Sequence, residues 1–208
     1  MNGEVSPLVM IHVAEPADME SVERCRFDVY RMEGYIDPAD FPNGRERDNY
    51  DNHAISVIAS TAPGMYTIGT SRLILNHDNT LPVQDSSHHN IDVKSGGKIA
   101  EVSRLCVRQE YRNAGKIKLG LYRVLCHLLL DQQIDTVYII VDEKFMHTLN
   151  WLGFPFEQIG PPREYMGLTI PCSCLVQDIL PSLRENENAQ MLGLVQLFEM
   201  PFTGKIIL

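Results

Sequence analysis

The stretch "AEVSRLCV", residues 100–107, combines the composition of a buried β-strand with two charged side chains. Glu101 and Arg104 lie among apolar or small neighbours, where an unpaired charge is costly. In a regular strand the side chains alternate between the two faces, so residues three apart point in opposite directions. The presence of both charges in such a strand therefore requires a structural or functional explanation.

A β-bulge in this strand supplies such an explanation. An extra residue between or near Glu101 and Arg104 brings both side chains to one face and separates the strand from its neighbour. Bulges also occur beside active sites, where they change the direction of a side chain or end the pairing of a strand. We therefore predict a splayed strand with Glu101 in a functional site. The alternative is that Glu101 only forms a structural ion pair with Arg104 or Arg72.

A basic turn, "RQEYRNAGK" (108–116), follows the strand and leads into a helix. Unpaired N–H groups and the positive end of a helix favour an anionic ligand at such a turn. The segment 115–133 predicts the helix itself, because its apolar residues recur on one helical face. These residues are Ile117, Leu121, Val124, Leu125, Leu128 and Leu129.

The remaining patterns predict an α/β sandwich around a mixed sheet. Strands are expected at 8–14, 136–141, 154–159 and 166–177, with a hairpin of 53–60 and 65–75 around the turn "TAPG" (61–64). Helices are expected at 17–33, where Gly34 ends the helix, and at 143–152. Polar loops are expected at 36–52 and 76–97. We treat 1–208 as one domain, with 178–208 as a C-terminal extension.

Composition and charge narrow the class of protein. Of the 208 residues, 44% are hydrophobic and 22% are charged, as in an ordinary globular enzyme. The net charge of −9 argues against nonspecific binding of nucleic acid. The sequence contains neither an apolar run long enough for stable membrane insertion nor a secretory signal pattern. We therefore expect a cytoplasmic protein.

The five cysteines are expected to be reduced thiols, most of them buried, because their number is odd and no CxxC motif occurs. Cys172 and Cys174 alternate along a strand and share a face, which is compatible with half of a metal site. No second pair of ligands accompanies them, so we expect no metal.

The segment "LCV" followed by "RQEYRNAGKIKLGLYRVL" resembles the acyl-carrier-binding segment of the GNAT acyltransferase superfamily. In that superfamily a splayed strand pairs with a pantetheine arm and the next loop binds phosphate. The usual loop has two glycines, whereas here Gly115 is followed by Lys116 and Ile117. The resemblance therefore implies the phosphopantetheine of acyl carrier protein as the acyl donor, with no permanently bound cofactor.

Three further stretches, "RDNYDNH" (47–53), "GTSRLIL" (69–75) and "AEVSRLCV", look like the signature of the autoinducer synthases. Those GNAT-like enzymes acylate S-adenosylmethionine from acyl carrier protein. The resemblance implies one site lined by residues of these motifs and by an arginine of the first helix. The corresponding residues are Arg26, Asp48, Asp51, Arg72, Glu101 and Arg104. Asp48 and Asp51 have the alternative role of stabilising a loop.

The tryptophan that autoinducer synthases place after the first helix is missing, since Trp151 is the single tryptophan. The chain is more similar to the long-chain N-acyl amino acid synthases of the N-acyltyrosine type. This resemblance implies transfer of a fatty acyl group to the α-amine of an amino acid, tyrosine first. A synthase using S-adenosylmethionine and an inactive GNAT-like binding module remain as alternatives.

The chemistry assigns roles to these residues. Glu101 is expected to accept the proton of the amine, and Arg26, Arg72 or Arg104 to bind the carboxylate of the amino acid. Backbone N–H groups near 104–107 are expected to stabilise the oxyanion. The acyl chain is expected in the gap lined by residues such as Leu105, Cys106, Val107 and Leu121. Cys106 itself has no His/Asp partner pattern of a nucleophile.

A basic patch is the predicted docking surface for acyl carrier protein, a strongly acidic partner that this acidic chain would otherwise repel. Lys116 and Arg123, seven residues apart, are expected on the outer face of the helix. The alternative is a solvated helix face. The residues of the patch are Arg108, Arg112, Lys116, Lys118 and Arg123, with Gly115 at the entrance of the helix.

Overall fold

The strand that carries Glu101 lies inside a nine-stranded mixed sheet. The computed structural model describes residues 8–62, 66–76, 80–93 and 96–208, with the backbone alone for 113–114. Parts of the predicted turn 61–64 and of the polar loop 76–97 lie outside the described residues. The strands are β1 Leu8–Val13, β2 Ala54–Ala62, β3 Tyr66–Leu75, β4 Ile99–Val107, β5 Thr136–Val141, β6 Glu157–Gln158, β7 Arg163–Glu164, β8 Leu168–Leu175 and β9 Lys205–Ile207.

Six α-helices are found in the described part of the chain. They are α1 Met19–Glu33, α2 Lys116–Asp131, α3 Glu143–Trp151, α4 Val176–Glu185, α5 Glu187–Met191 and α6 Leu194–Glu199. Gly34 ends α1 in the left-handed conformation (φ 75°), as predicted. The predicted strand 154–159 shrinks to the two residues of β6, and the predicted strand 166–177 ends where α4 begins.

The sheet order is β6-β8-β5-β4-β3-β2-β1-β9, and β7 pairs with β8. All pairs are antiparallel except β4 with β5. Because β9 pairs with β1, the C-terminal segment completes this edge of the sheet. α1 and α2 cover opposite faces, since Cys106 packs against α1 while the next residue, Val107, packs with Ile117 of α2.

The predicted splay is present between β4 and β5. The two strands pair only from Ile99 with Thr136 to Val102 with Ile139. Beyond this point β5 continues to pair with β8, while β4 runs on to Val107 beside β3. A gap therefore opens in the middle of the sheet after Val102, the residue that follows Glu101.

Candidate active site

A β-bulge on β4 is the local cause of the site. Thr70 pairs with Cys106 and Arg72 pairs with Ser103, so one residue of β3 faces two residues of β4. One of the two is Arg104, whose φ of 53° is left-handed and strained for a residue with a side chain. The bulge and the splay confirm the strand distortion that the charged side chains predicted.

A cavity of about 490 Å³ occupies the gap and reaches both Glu101 and Arg104. The apolar part of its lining comes from α2, β5, α3 and the segment before β6. The apolar side chains include Leu125, Leu129, Val137, Ile139, Phe145, Leu149, Phe154 and Phe156. Glu101, Arg104 and the turn 165–167 after β7 form the polar end of the same cavity.

Glu101 is a carboxyl group with 1% of its surface exposed. Its Oε2 accepts a hydrogen bond from the Val83 backbone N–H at 2.7 Å. Burial raises the pKa of Glu101 to about 8, and the Val83 N–H and the positive charges of Arg72 and Arg104 offset only part of this effect. A carboxyl group whose pKa lies near neutral pH suits proton transfer.

Arg104 belongs to a closed ring of ion pairs. Three arginines and three acids alternate, and each acid bridges two arginines. The order around the ring is Arg26, Glu46, Arg104, Asp48, Arg72, Asp51 and back to Arg26. The six N–O distances range from 2.6 Å, for Arg72 with Asp48, to 3.0 Å.

The ring is neutral as a whole and almost completely buried. The side chains of Arg26, Arg72 and Asp51 are at most 1% exposed. Although burial opposes ionisation, Arg72 and Arg26 lower the pKa of Asp51 to about 2. Burial also opposes the ionisation of Asp48, but Arg72 and Arg104 lower the pKa of this carboxyl group. Each buried charge is thus compensated by a partner.

Three of the predicted substrate contacts lie in this ring and not at the cavity. Arg26, Asp51 and Arg72 are buried in ion pairs and do not line the cavity, so their contact with a substrate stays a prediction. Asp48 likewise pairs with Arg72 and Arg104, with 26% of its side chain exposed. The substrate-binding role of Asp48 and Asp51 and its alternative, the stabilisation of a loop, both stay open, and the structure shows each carboxylate paired with two arginines of the ring.

The predicted strand residues do line the cavity: Glu101, Arg104, Leu105, Cys106 and Val107 all border it. Cys106 is buried against Cys25, Val29 and Tyr30 of α1. Leu121, predicted in the gap, instead belongs to the fully buried core.

The basic residues that follow β4 lie in different surroundings. Arg112 and Lys118 border the cavity, Lys116 is exposed, and Gly115 precedes α2 with a left-handed φ of 64°. Arg108 is held by Asp28 and by the Thr67 carbonyl, and it lies over the ring of Tyr66. Arg112 pairs with Glu33 at 2.6 Å and donates to the Val107 carbonyl at 2.8 Å.

The predicted outer position of Arg123 is wrong. Its side chain is buried and donates to the backbone carbonyls of Met200 and Pro201. The C-terminal segment covers this part of α2, so Arg123 does not share an exposed face with Lys116. Helical periodicity cannot reveal that a segment almost eighty residues further along the chain covers this face of the helix.

Sequence reasoning missed Glu46, Val83 and Tyr165. Glu46 lies two residues before Asp48 in the same loop, and its charge was the available signal. Val83 contributes its backbone N–H, and Tyr165 contributes a ring that lies in a turn. No local sequence pattern marks either contribution.

Neither a metal site nor a membrane span is found in the described residues. No group of three or more His, Cys, Asp or Glu side chains comes together there in a way that could hold a metal ion. The helices found among these residues are too short or too polar to cross a bilayer.

Comparisons with known proteins agree with this geometry. Residues 21–178 match the family model described as N-acyl amino acid synthase FeeM. No curated protein sequence matches the chain. Among solved structures, FeeM, an N-acyl amino acid synthase from uncultured soil microbes, is 19% identical with a TM-score of 0.72, over 91% of this chain and 100% of that chain.

Two other solved structures show the same fold. BjaI, a CoA-dependent acyl-homoserine lactone synthase, is 22% identical with a TM-score of 0.71, over 93% of this chain and 91% of that chain. An acetyltransferase of the GNAT family from Staphylococcus aureus Mu50 is 18% identical with a TM-score of 0.53, over 81% of this chain and 99% of that chain. The predicted GNAT-like fold is therefore confirmed.

Proposed function

Since the chain belongs to the N-acyl amino acid synthase FeeM family and is therefore an N-acyltransferase, we propose that it transfers a long-chain fatty acyl group from acyl carrier protein to the α-amine of an amino acid, with tyrosine as the first candidate. One observation carries the proposal. Glu101 and Arg104 face one cavity, at the polar end of a long apolar gap. A base, a carboxylate receptor and an acyl channel thus meet in one place.

The apolar gap is the proposed acyl channel. Its side chains come from both sides of the splay and from α3, and they include aromatic residues such as Phe145 and Phe154, whose rings pack against Tyr122. Burial of methylene groups stabilises a bound chain by about 0.8 kcal/mol each. A long fatty acyl group therefore gains more from this gap than an acetyl group does.

Glu101 is the proposed general base. It takes a proton from the amine, directly or through one water, while the amine nitrogen attacks the thioester carbon. The C–N bond forms, the C–S bond breaks, and the proton finally neutralises the leaving phosphopantetheine thiolate. Backbone N–H groups of the bulged stretch, freed from pairing with β5, stabilise the oxyanion between the two steps.

Arg104 is the proposed receptor for the amino acid's carboxylate. Of the three arginines in the ring it is the one that borders the cavity, and 10% of its side chain is exposed. The ring of ion pairs fixes its direction before the substrate arrives, which reduces the entropy lost on binding.

The carrier protein is proposed to dock at the start of α2. Lys116 is exposed there, and Lys118 borders the cavity beside the entrance. Gly115 without a second glycine favours the single phosphate of carrier-bound phosphopantetheine over the three phosphates of coenzyme A. We place the enzyme in the cytoplasm, where acyl carrier protein is made.

Lipid analysis in a bacterial host tests the proposal. Wild-type protein and Glu101→Gln are expressed at equal levels, and the extracted lipids are compared by mass spectrometry. N-acyl amino acids should accumulate with the wild type and be reduced at least tenfold in the variant. Acyl-homoserine lactones in their place would identify S-adenosylmethionine as the amine donor, and no new lipid would favour a binding module.

A further inference from the structure

Tyr165 forms a wall of the cavity beside Arg104. It lies in the turn 165–167 between β7 and β8, and its ring borders the polar end of the cavity. Met166 and Gly167 both have positive φ, 49° and 95°. A non-glycine residue in this region is strained, so neighbouring contacts must hold the turn in place.

His88 provides one of these contacts. Its ring packs against the Tyr165 ring with centroids 4.0 Å apart, and its Nδ1–H donates to the Pro82 carbonyl at 2.9 Å. The next residue, Val83, donates its N–H to Glu101. One short segment, 82–88, therefore positions both the carboxyl group of Glu101 and the ring of Tyr165.

One edge of the Arg104 guanidinium is only weakly engaged. Nε and Nη2 are paired with carboxylates of the ring at 2.9 and 2.8 Å. Nη1 instead lies 3.5 Å from the hydroxyl of Tyr165, beyond the usual range of an N–H···O hydrogen bond. A substrate carboxylate forms a stronger, charge-assisted bond and can replace this neutral contact.

With the carboxylate on Arg104 and the amine toward Glu101, the side chain and the hydrogen of the acceptor's α-carbon take the two remaining positions. Tyr165, whose hydroxyl lies 3.5 Å from Nη1 of Arg104, stands beside the bound carboxylate and within reach of that side chain. We infer that the ring of Tyr165, positioned by His88, receives this side chain and selects aromatic over small aliphatic amino acids. The inference rests on the proposed function and names the part of the site that sets its specificity.

The expected size of the effect follows from ring–ring contacts. Such contacts contribute up to about tenfold in affinity beyond the burial of area. Because Tyr165→Ala also removes the buried area that the ring supplies, the preference for tyrosine over alanine, taken as the ratio of their kcat/KM values, should fall about tenfold or more. Tyr165→Phe keeps the ring and should retain the preference within about threefold.

The experiment measures the acylation of tyrosine, phenylalanine, leucine and alanine from one acyl carrier protein donor. Trp151→Ala is the matched control, because Trp151 is an aromatic residue with 51% exposure. Tyrosine binding is also measured by calorimetry in the absence of donor, and melting temperatures check the folding of each variant. His88→Ala should lower the same preference through KM, and His88→Phe should restore it.

The outcomes separate this inference from the proposed function. If the wild type acylates amino acids but Tyr165→Ala keeps the full preference for tyrosine, the inference is overturned and the proposed function stands. If the wild type acylates no amino acid, both are overturned. If Tyr165→Ala does not fold, the pair His88→Ala and His88→Phe decides, and equal ratios in both variants would overturn the inference.

Discussion

Replacing Glu101 with glutamine tests the chemistry at the centre of the site. The amide oxygen of glutamine can accept the Val83 N–H hydrogen bond that the carboxylate accepts now. The shape of the site and its link to segment 82–88 are therefore preserved. What the substitution removes is the ability to take a proton from the amine.

The expected loss of rate follows from the contribution of a positioned general base, and the expected pH dependence follows from the pKa of Glu101. A positioned base contributes roughly 10²–10⁴ in rate, so Glu101→Gln should lose at least tenfold in kcat at pH 8. With a pKa of about 8, Glu101 is half ionised near pH 8. Its ionised fraction rises about fivefold from pH 7 to pH 8 and less than about twofold from pH 8 to pH 9.

The assay is kcat against pH with saturating acyl carrier protein donor and amino acid. The kcat of the wild type should rise with pH, with a midpoint near pH 8. This rise should be absent from the variant. The remaining rate of the variant should keep rising at higher pH, because more of the amine is then neutral. An unchanged rate in Glu101→Gln, or an identical pH profile, would refute the role of Glu101 as the base.

Unfolding without substrate gives an independent check on the same pKa. The native pKa of Glu101 is raised from 4.5 to about 8, so the folded state binds its proton more tightly than the unfolded state. The resulting stabilisation is complete below pH 4.5 and is lost as the pH rises toward 8. Relative to Glu101→Gln, the wild type should lose on the order of a few kcal/mol over this range in urea denaturation.

Three further predictions concern the support of the site and its donor. Asp51→Asn leaves two buried arginines short of a partner and should cost about 3–5 kcal/mol in urea denaturation, whereas Glu199→Gln, in an exposed pair, should cost less than about 1 kcal/mol. Similar losses in the two variants would contradict the importance of the ring. The double variant Lys116→Glu/Lys118→Glu should raise the KM for acyl carrier protein several-fold and weaken its salt dependence, while Lys144→Glu on α3 leaves both unchanged. Normal carrier-protein kinetics of the double variant at low salt would place the dock elsewhere. Acyl carrier protein should exceed acyl-coenzyme A in kcat/KM, and equal values would contradict the argument from Gly115.

The sequence predicted those features of the site that leave a local trace. Charges inside an apolar strand indicated the bulge at Arg104, and the distorted strand implied the gap. Family resemblance identified Asp48, Asp51 and Arg72 as parts of the site. It did not show that these residues form a ring of ion pairs with Arg104, because the pairs of the ring join residues 20 to 58 positions apart in sequence.

The features that escaped prediction depend on contacts between distant segments. Tyr165 lies 61 residues from Arg104, and no periodicity marks a turn residue whose ring closes a cavity. Arg123 satisfied the pattern of an exposed helix position, yet carbonyls 77 and 78 residues away cover it. The raised pKa of Glu101 likewise comes from its burial in the folded chain, which sequence alone does not reveal.

Reconstitution from purified components identifies the acyl acceptor. The enzyme is incubated with a long-chain acyl carrier protein and an equimolar mixture of tyrosine and S-adenosylmethionine, and the products are identified by mass spectrometry. N-acyltyrosine is the expected product, with release of the free carrier thiol in equal amount and loss of both products in Glu101→Gln. Acyl-homoserine lactone as the product, or release of the thiol without any acylated amine, would contradict the proposed function.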